Sequence, residues 1–228
     1  MSERGADEQG DERRGERRDG KREARAEAER AIRAAHDAGD FARATTIALE
    51  AYGREISSFI AARVRSVGDA GDVFGAFALD VWNGLPNFRF SSSFRTWAYT
   101  LARHAIARHR ASPHERRKIE VSTFSPLAER LVHETRAHTD TWKKTHVKDT
   151  VRALRDRLDD EEQEILILRV DRAMPFDEIA RVLTPDLDDA DVKKRAAAIR
   201  KRFERAKERL RTWALEEGLL DPARGGRA

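Results

Sequence analysis

The chain has 228 residues, a formal net charge of +4 and 38% charged side chains, so the placement of charge matters more than its sum. That length suits one or two modest domains with real apolar cores. The absence of cysteine excludes disulfides and thiolate chemistry and is compatible with a cytoplasmic setting. No apolar run approaches a membrane span, and the extreme N-terminus lacks a hydrophobic secretory segment.

Residues 1–28 alternate Arg, Glu, Asp and Gly with scarcely any large apolar side chain. Such a segment does not offset its ordering entropy by burial, so it is expected to be a disordered charged leader. From about residue 30 to 67 the pattern becomes that of one or two amphipathic helices. Ala48, Tyr52, Ile56, Phe59, Ile60 and Val64 keep helical spacing, with Arg54, Arg63 and Arg65 toward solvent. Gly68-Asp69-Ala70-Gly71 reads as a turn. After it Val73, Phe74, Phe77, Val81 and Trp82 line another helix, which Gly84 and Pro86 end.

The stretch 88–110, FRFSSSFRTWAYTLARHAIARHR, combines aromatics, a serine triplet and a run of Arg and His. Its helix is expected to start near Ser92 or Ser93, either hydroxyl being a suitable N-cap. Phe94, Trp97, Ala98, Leu101, Ala105 and Ile106 fall on one broad face, leaving Arg95, Arg103, His104, Arg108 and Arg110 mainly on the others. Phe94 and Trp97 serve either as core or as stacking platforms for an unpaired base. Phe88, Phe90 and the serines are the better candidates for the wall of a pocket around a flipped base. The arginines would hold phosphates without reading sequence.

Residues 112–149 show no clear pattern and read as a linker between two domains. Order returns with Val151, Leu154 and Leu158, after which Asp159 or Asp160 caps a helix with an acidic first turn. Met174-Pro175 breaks that helix, and Phe176, Ile179, Ala180 and Leu183 mark a short one. Ile199, Phe203, Ala206, Leu210 and Trp213 then form the core stripe of a closing basic helix. Residues 193–211 hold ten Lys or Arg against Glu204 and Glu208, whereas Asp156–Asp191 carries thirteen acidic residues against four Arg. A short helix followed by a basic one is a helix-turn-helix pattern. The acidic block would repel DNA, which leaves the basic helix as the contacting face. Seven histidines and many carboxylates are scattered without metal-ligand or catalytic spacing, so the chain reads as a non-enzymatic protein with no cofactor and a nucleic-acid partner.

The expected fold class is all-α: two small helical domains joined by a linker, the second a helix-turn-helix domain of winged-helix-like, four-helix type. The boundaries are 29–111, 112–149, 150–215 and a flexible tail over 216–228.

These motifs resemble those of bacterial RNA polymerase sigma factors of the extracytoplasmic-function group, in the sigma-70 family. Asp72-Val73 through Trp82-Asn83-Gly84-Leu85-Pro86-Asn87-Phe88 resembles the family's D-V helix ending in W-x-x-L-P-x-F. Ser92-Ser93-Phe94-Arg95-Thr96-Trp97 is similar to its next signature. Met174-Pro175-Phe176-Asp177-Glu178-Ile179-Ala180 and the helix Ile199–Leu210 resemble the second-domain motifs. The resemblance implies that Asp72, Phe77, Asp80, Trp82, Pro86 and Phe88 dock on the coiled-coil clamp of the polymerase largest subunit. It implies that Phe90, Ser92, Ser93, Phe94, Arg95, Trp97, Arg103, His104 and Arg108 capture and contact the −10 element as duplex and melted promoter DNA. Lys193, Lys194, Arg195, Arg200, Lys201, Arg202 and Arg205 would read the −35 element, with the second domain near the polymerase flap. An anti-sigma protein is a further possible partner.

Two features depart from the family pattern. Gly75-Ala76 stands where a Gln-Glu pair is usual, and glycine weakens a helix interior by about 1 kcal/mol relative to alanine. The connection from Leu183 to Ile199 is long and acidic. It either extends the recognition helix backward, capped near Asp188 or Asp189 with Lys193, Lys194 and Arg195 approaching phosphates, or makes a protein contact. The alternative to a sigma factor is a stand-alone helix-turn-helix regulator that has lost polymerase binding.

Overall fold

The structure is a computed structural model that describes residues 4–64, 67–111, 127, 130, 131, 134 and 146–220. All regular elements among these residues are helical. The first domain is built from α1 (Arg4–Asp37), α2 (Phe41–Arg63), α3 (Val67–Gly84), a 3₁₀ turn (Leu85–Asn87) and α4 (Phe94–Ala111). The second comprises α5 (His146–Asp156), α6 (Asp160–Leu166) continued by a π turn (Ile167–Asp171), α7 (Phe176–Leu183) and α8 (Asp189–Glu216).

Helix α1 departs from the expected disordered leader, since it starts at Arg4. Alternating charge supports a helix through neighbours three and four apart, as in the pairs Arg30–Glu27 (2.5 Å) and Arg33–Asp37 (3.8 Å). What anchors its C-terminal half is burial: Ile32 and Ala35 lie in the core. Gly39, at φ +73°, then allows the tight reversal into α2, whose first turn is capped by the Asp40 carboxylate accepting from Arg43 N at 3.0 Å.

The apolar stripe of α2 is inward as its spacing predicts, with Ala48, Tyr52, Ile56, Phe59 and Ile60 buried. Arg63, expected at the solvent face, is instead buried and turns toward the second domain. Gly68–Gly71 form the start of α3, not a turn; the chain leaves the α2 helix at Val64, which is extended. Two glycines alone do not stop a helix when Ala70 between them is fully buried and Asp69 supplies a favourable first-turn charge. Val73, Phe74, Phe77 and Val81 of α3 pack on α2 and α4, closing the first core with Phe94, Ala98, Tyr99, Ala102 and Ile106. Leu131, from the segment between the domains, fits over Gly53, where an added Cβ would come within 2.5 Å of its Cδ1.

In the second domain the buried cluster continues through Leu158, Ile165, Leu168, Met174, Ile179, Val182, Val192, Ile199, Phe203 and Ala206. A capping box starts α6: the Asp159 carboxylate accepts from Glu162 N at 2.9 Å, and Glu162 reaches back to Asp159 N. Pro175 begins α7, and Asp188 caps α8 by accepting from Asp191 N at 2.8 Å. Helix α8 therefore extends backward from Ile199 by turns that include Lys193, Lys194 and Arg195, the first of the two arrangements expected for this connection. Most of the linker expected over 112–149, and residues 221–228 of the tail, lie outside the described residues. The two domains meet where α4 crosses α7.

Candidate nucleic-acid interface

The N-terminus of α4 is held with unusual completeness. The four leading N–H groups of a helix have no intrahelical acceptor. Here Phe94 N and Arg95 N donate to the Glu29 carboxylate of α1 at 2.7 and 3.0 Å. Thr96 N donates to Ser93 Oγ at 3.1 Å, and Trp97 N makes the first regular helical bond, to Ser93 O at 3.1 Å. Ser93 is thus the local cap among the two serines expected, and Glu29 is a second cap brought by tertiary structure. The Tyr52 hydroxyl donates to Glu29 at 2.9 Å, and burial with the Glu29 charge pushes that phenol up.

The loop before α4 projects an aromatic cluster. Phe88 stacks on Trp97 with centroids 4.6 Å apart and touches Phe90 at 4.5 Å. Phe90 has φ +53°, a strained backbone for a bulky residue. His36 meets its ring edge-on at 5.0 Å, and the Arg33 guanidinium lies 4.9 Å from its centroid. Phe90 stays half-buried, while Arg89 and Ser91 are exposed. Phe94 is core, packed against Tyr52 at 5.9 Å. Trp97 is intermediate and fits against Gly84, where an added Cβ would stand 2.9 Å from its Cζ2. Of the two residues that spacing left open, Phe94 is core and Trp97 half-buried, while Phe90 lies half-buried beside Phe88.

The basic residues of α4 are not equivalent. Arg95 is buried, ion-paired to Glu55 with Nε 2.9 Å from Oε1, and donates to Arg172 O at 2.9 Å. Burial alone would raise the Glu55 carboxyl, but the Arg95 guanidinium and the Tyr99 hydroxyl bring it below the usual carboxylate range. This geometry gives Arg95 no open face toward a phosphate, a correction to its expected surface position. Arg103 also faces inward, donating to Glu164 at 2.7 Å and to Val182 O at 2.9 Å. Arg108 pairs with Asp80, Arg110 with Asp160 at 2.9 Å, and His104 is exposed.

Of the remaining first-domain candidates, Phe77 and Phe88 are core residues, Pro86 is exposed, and Asp72 and Trp82 are half-buried on α3. Gly75 is itself buried. On α8, Lys193, Lys194, Arg200, Lys201 and Arg205 are exposed. Arg195 pairs with Glu161, and Arg202 with Asp159 at 2.7 Å and Glu161 at 3.0 Å. Arg200 also lies over Phe176 of α7, 5.2 Å from its centroid, which ties the two helices of the helix-turn-helix together.

Sequence reasoning missed Glu29, Glu55, Arg63 and Arg172. Arg172 donates to Ser58 at 3.0 Å across the domain boundary. Their only linear signal is a charge on an otherwise apolar helical face, which spacing does not separate from a solvated one. Among the described residues no group of three or more His, Asp or Glu is placed to hold a metal ion, and no helix is long and apolar enough to cross a membrane.

Residues 48–117, which take in most of α2 with α3, the aromatic loop and α4, match the family described as Sigma-70 region 2. Residues 48–117 are thus similar to a sigma-70 region 2 domain. The chain is similar to the RNA polymerase sigma factor YlaC of Bacillus subtilis (strain 168), at 28% identity over 132 residues that cover 58% of this chain and 75% of that protein. No solved structure matches the chain.

Proposed function

We propose that the protein is a dissociable sigma factor of the extracytoplasmic-function type, which binds core RNA polymerase and directs promoter recognition, −10 melting and transcription initiation. The observation that carries this reading is the half-exposed, strained Phe90 at the rim of the Phe88–Trp97 stack, directly before a doubly capped basic helix. Stacking on an aromatic face stabilises an unpaired base by roughly 1–3 kcal/mol, and a base leaves the duplex only if such a surface receives it. Arg89, Ser91 and Ser92 adjoin that rim in the chain for backbone contacts. Asp72, Asp80, Trp82 and Pro86 on α3 and its following turn make the polymerase contact. The second domain presents Lys193, Lys194, Arg200, Lys201 and Arg205 of α8 to the major groove of the −35 duplex.

Permanganate reactivity of promoter thymines with the holoenzyme tests the rim. Phe90→Ala should leave closed-complex formation near the wild-type level and reduce the melted signal about tenfold, the consequence of losing ~1.4 kcal/mol of stacking. An unchanged footprint in a folded Phe90→Ala protein refutes the base pocket. Phe94→Ala is the contrasting change: truncating a buried phenylalanine costs about 3–5 kcal/mol, so it should lower thermal stability first.

A further inference from the structure

One short acidic segment is the counter-charge of both basic surfaces. Toward the first domain, Asp160 pairs with Arg63 at 3.1 Å and with Arg110 at 2.9 Å. Gln163 accepts from Arg63 at 2.8 Å, and Glu164 pairs with Arg103 at 2.7 Å. Toward α8, Asp159 and Glu161 hold Arg202, Glu161 holds Arg195, and Glu162 holds Arg209. Six arginines from two domains thus converge on residues 159–164. A cleft of about 420 Å³ runs between them, lined by Arg63, Arg103, Arg110 and Arg195 as well as His104.

The chemistry of that arrangement is exchangeable. An arginine fork takes a carboxylate or a phosphate with the same parallel N–H···O geometry. Asp160 is largely exposed, so its pairs with Arg63 and Arg110 are of the weak, solvent-screened kind. Glu164 and Arg63, by contrast, are buried, so opening the interface leaves them needing new partners. A polyanion supplies one for Arg63 well, whereas Glu164, itself an anion, is left to water.

We propose that residues 159–164 act as an internal stand-in for DNA phosphates, holding the two domains closed over Arg63, Arg103 and Arg110 until promoter DNA on the polymerase takes those arginines over. This rests on the reading that the α4 face meets DNA, and it adds Arg63 and Arg110, which that reading did not include. The free chain is therefore self-screened in part: Arg63, Arg103 and Arg110 are withheld from non-specific DNA, while the exposed cations of α8 remain available to it. The affinity of a chain whose competent form is a minor population falls by the fraction that is open.

The absence of native cysteine allows a dye pair on the full-length chain through Asn83→Cys and Ala197→Cys, both exposed and one in each domain. Energy transfer reports domain separation, and anisotropy with a 20–30 bp non-promoter duplex reports affinity over a salt series. The wild-type chain should show high transfer that falls as duplex is added. D160N/E164Q should show low transfer without DNA and bind the duplex about tenfold more tightly, the factor gained when the closed population is removed. Because Glu164 is buried, D160N/E161Q is run beside it, with circular dichroism melting as the check that both variants are folded. The charge-swapped R103E/E164R should regain high transfer while losing the gain in affinity.

If transfer and affinity are both unchanged in folded D160N/E164Q and D160N/E161Q, while R103A/R110A weakens duplex binding, the internal competitor is refuted and the DNA reading of α4 stands. If R103A/R110A has no effect on duplex binding even in the D160N/E164Q background, the DNA reading of α4 itself fails, and the proposal falls with it.

Discussion

Helices α4 and α8 look alike in the sequence, each an amphipathic helix with a dense basic face, yet the fold uses their cations in opposite ways. On α4, Arg95, Arg103, Arg108 and Arg110 are each committed to a carboxylate of another element. On α8, Lys193, Lys194, Arg200, Lys201 and Arg205 stay exposed, while Arg195, Arg202 and Arg209 turn to the acidic turn of α6. Basic composition therefore fixes neither which side chains meet a polyanion nor which hold the protein together. That division depends on which helix lies beneath an acidic neighbour.

The comparison breaks most sharply at Arg95. Arg95→Ala leaves half-buried Glu55, beside Tyr99, with only Arg25 at 3.4 Å as its cation, which should cost up to about 3–5 kcal/mol, measured by urea unfolding. The same substitution at Arg205 of α8 should change stability by no more than about 0.5 kcal/mol. Equal losses would show that the burial of the first site is not what matters.

A second contrast concerns DNA. Arg200→Ala, Lys201→Ala and Arg205→Ala should each weaken duplex binding by the full chain and reduce the salt slope by about 1, as expected for a phosphate contact. Arg95→Ala should leave that slope unchanged in protein that remains folded. A slope insensitive to all three α8 changes would remove this helix from the interface.

The smallest effect is in pH. Glu55 has a folded-state pKa below its ordinary value of 4.5 because Arg95 and Tyr99 outweigh burial. Its contribution is complete above about 4.5 and is lost as the pH falls through the depressed folded value. Burial of Glu164 acts oppositely, raising its carboxyl although Arg103 lies beside it. Stability associated with Glu164 therefore declines as the pH rises from 4.5 through the raised value. Thermal melts between pH 3 and 6 should show Glu55→Gln flattening the acid limb and Glu164→Gln removing a decline just above 4.5. Superimposable curves for the two variants and the wild type would contradict both assignments.

Much of the fold was legible because helical periodicity survives in one dimension. The stripes through Tyr52, Ile56 and Phe59, through Val73, Phe77 and Val81, and through Ile199, Phe203 and Ala206 are buried as spaced. The aromatic loop was legible too, since its serines, glycine and proline are local signals. The start of α3 was misread because Gly68 and Gly71 mark a turn only where nothing buries the residue between them. The leader gave no helical signal because composition does not show that Ile32 and Ala35 anchor the far end of the same helix. Spacing left Phe94 and Trp97 open between core and stacking roles; only packing distinguishes them, Phe94 lying buried against Tyr52 and Trp97 half-buried on Phe88.

By itself the sequence determined an all-helical chain with two cores, a basic aromatic segment in the first and a helix-turn-helix in the second. These follow from short-range rules: the helical period, capping hydroxyls, and breaks at glycine and proline. Only the tertiary structure decided the electrostatic partners. Glu29 caps a helix 65 residues away, Glu55 neutralises Arg95, and Glu164 meets Arg103 across the domain boundary. A charge pair is set by distance and burial in space, and both are established only when the helices have packed.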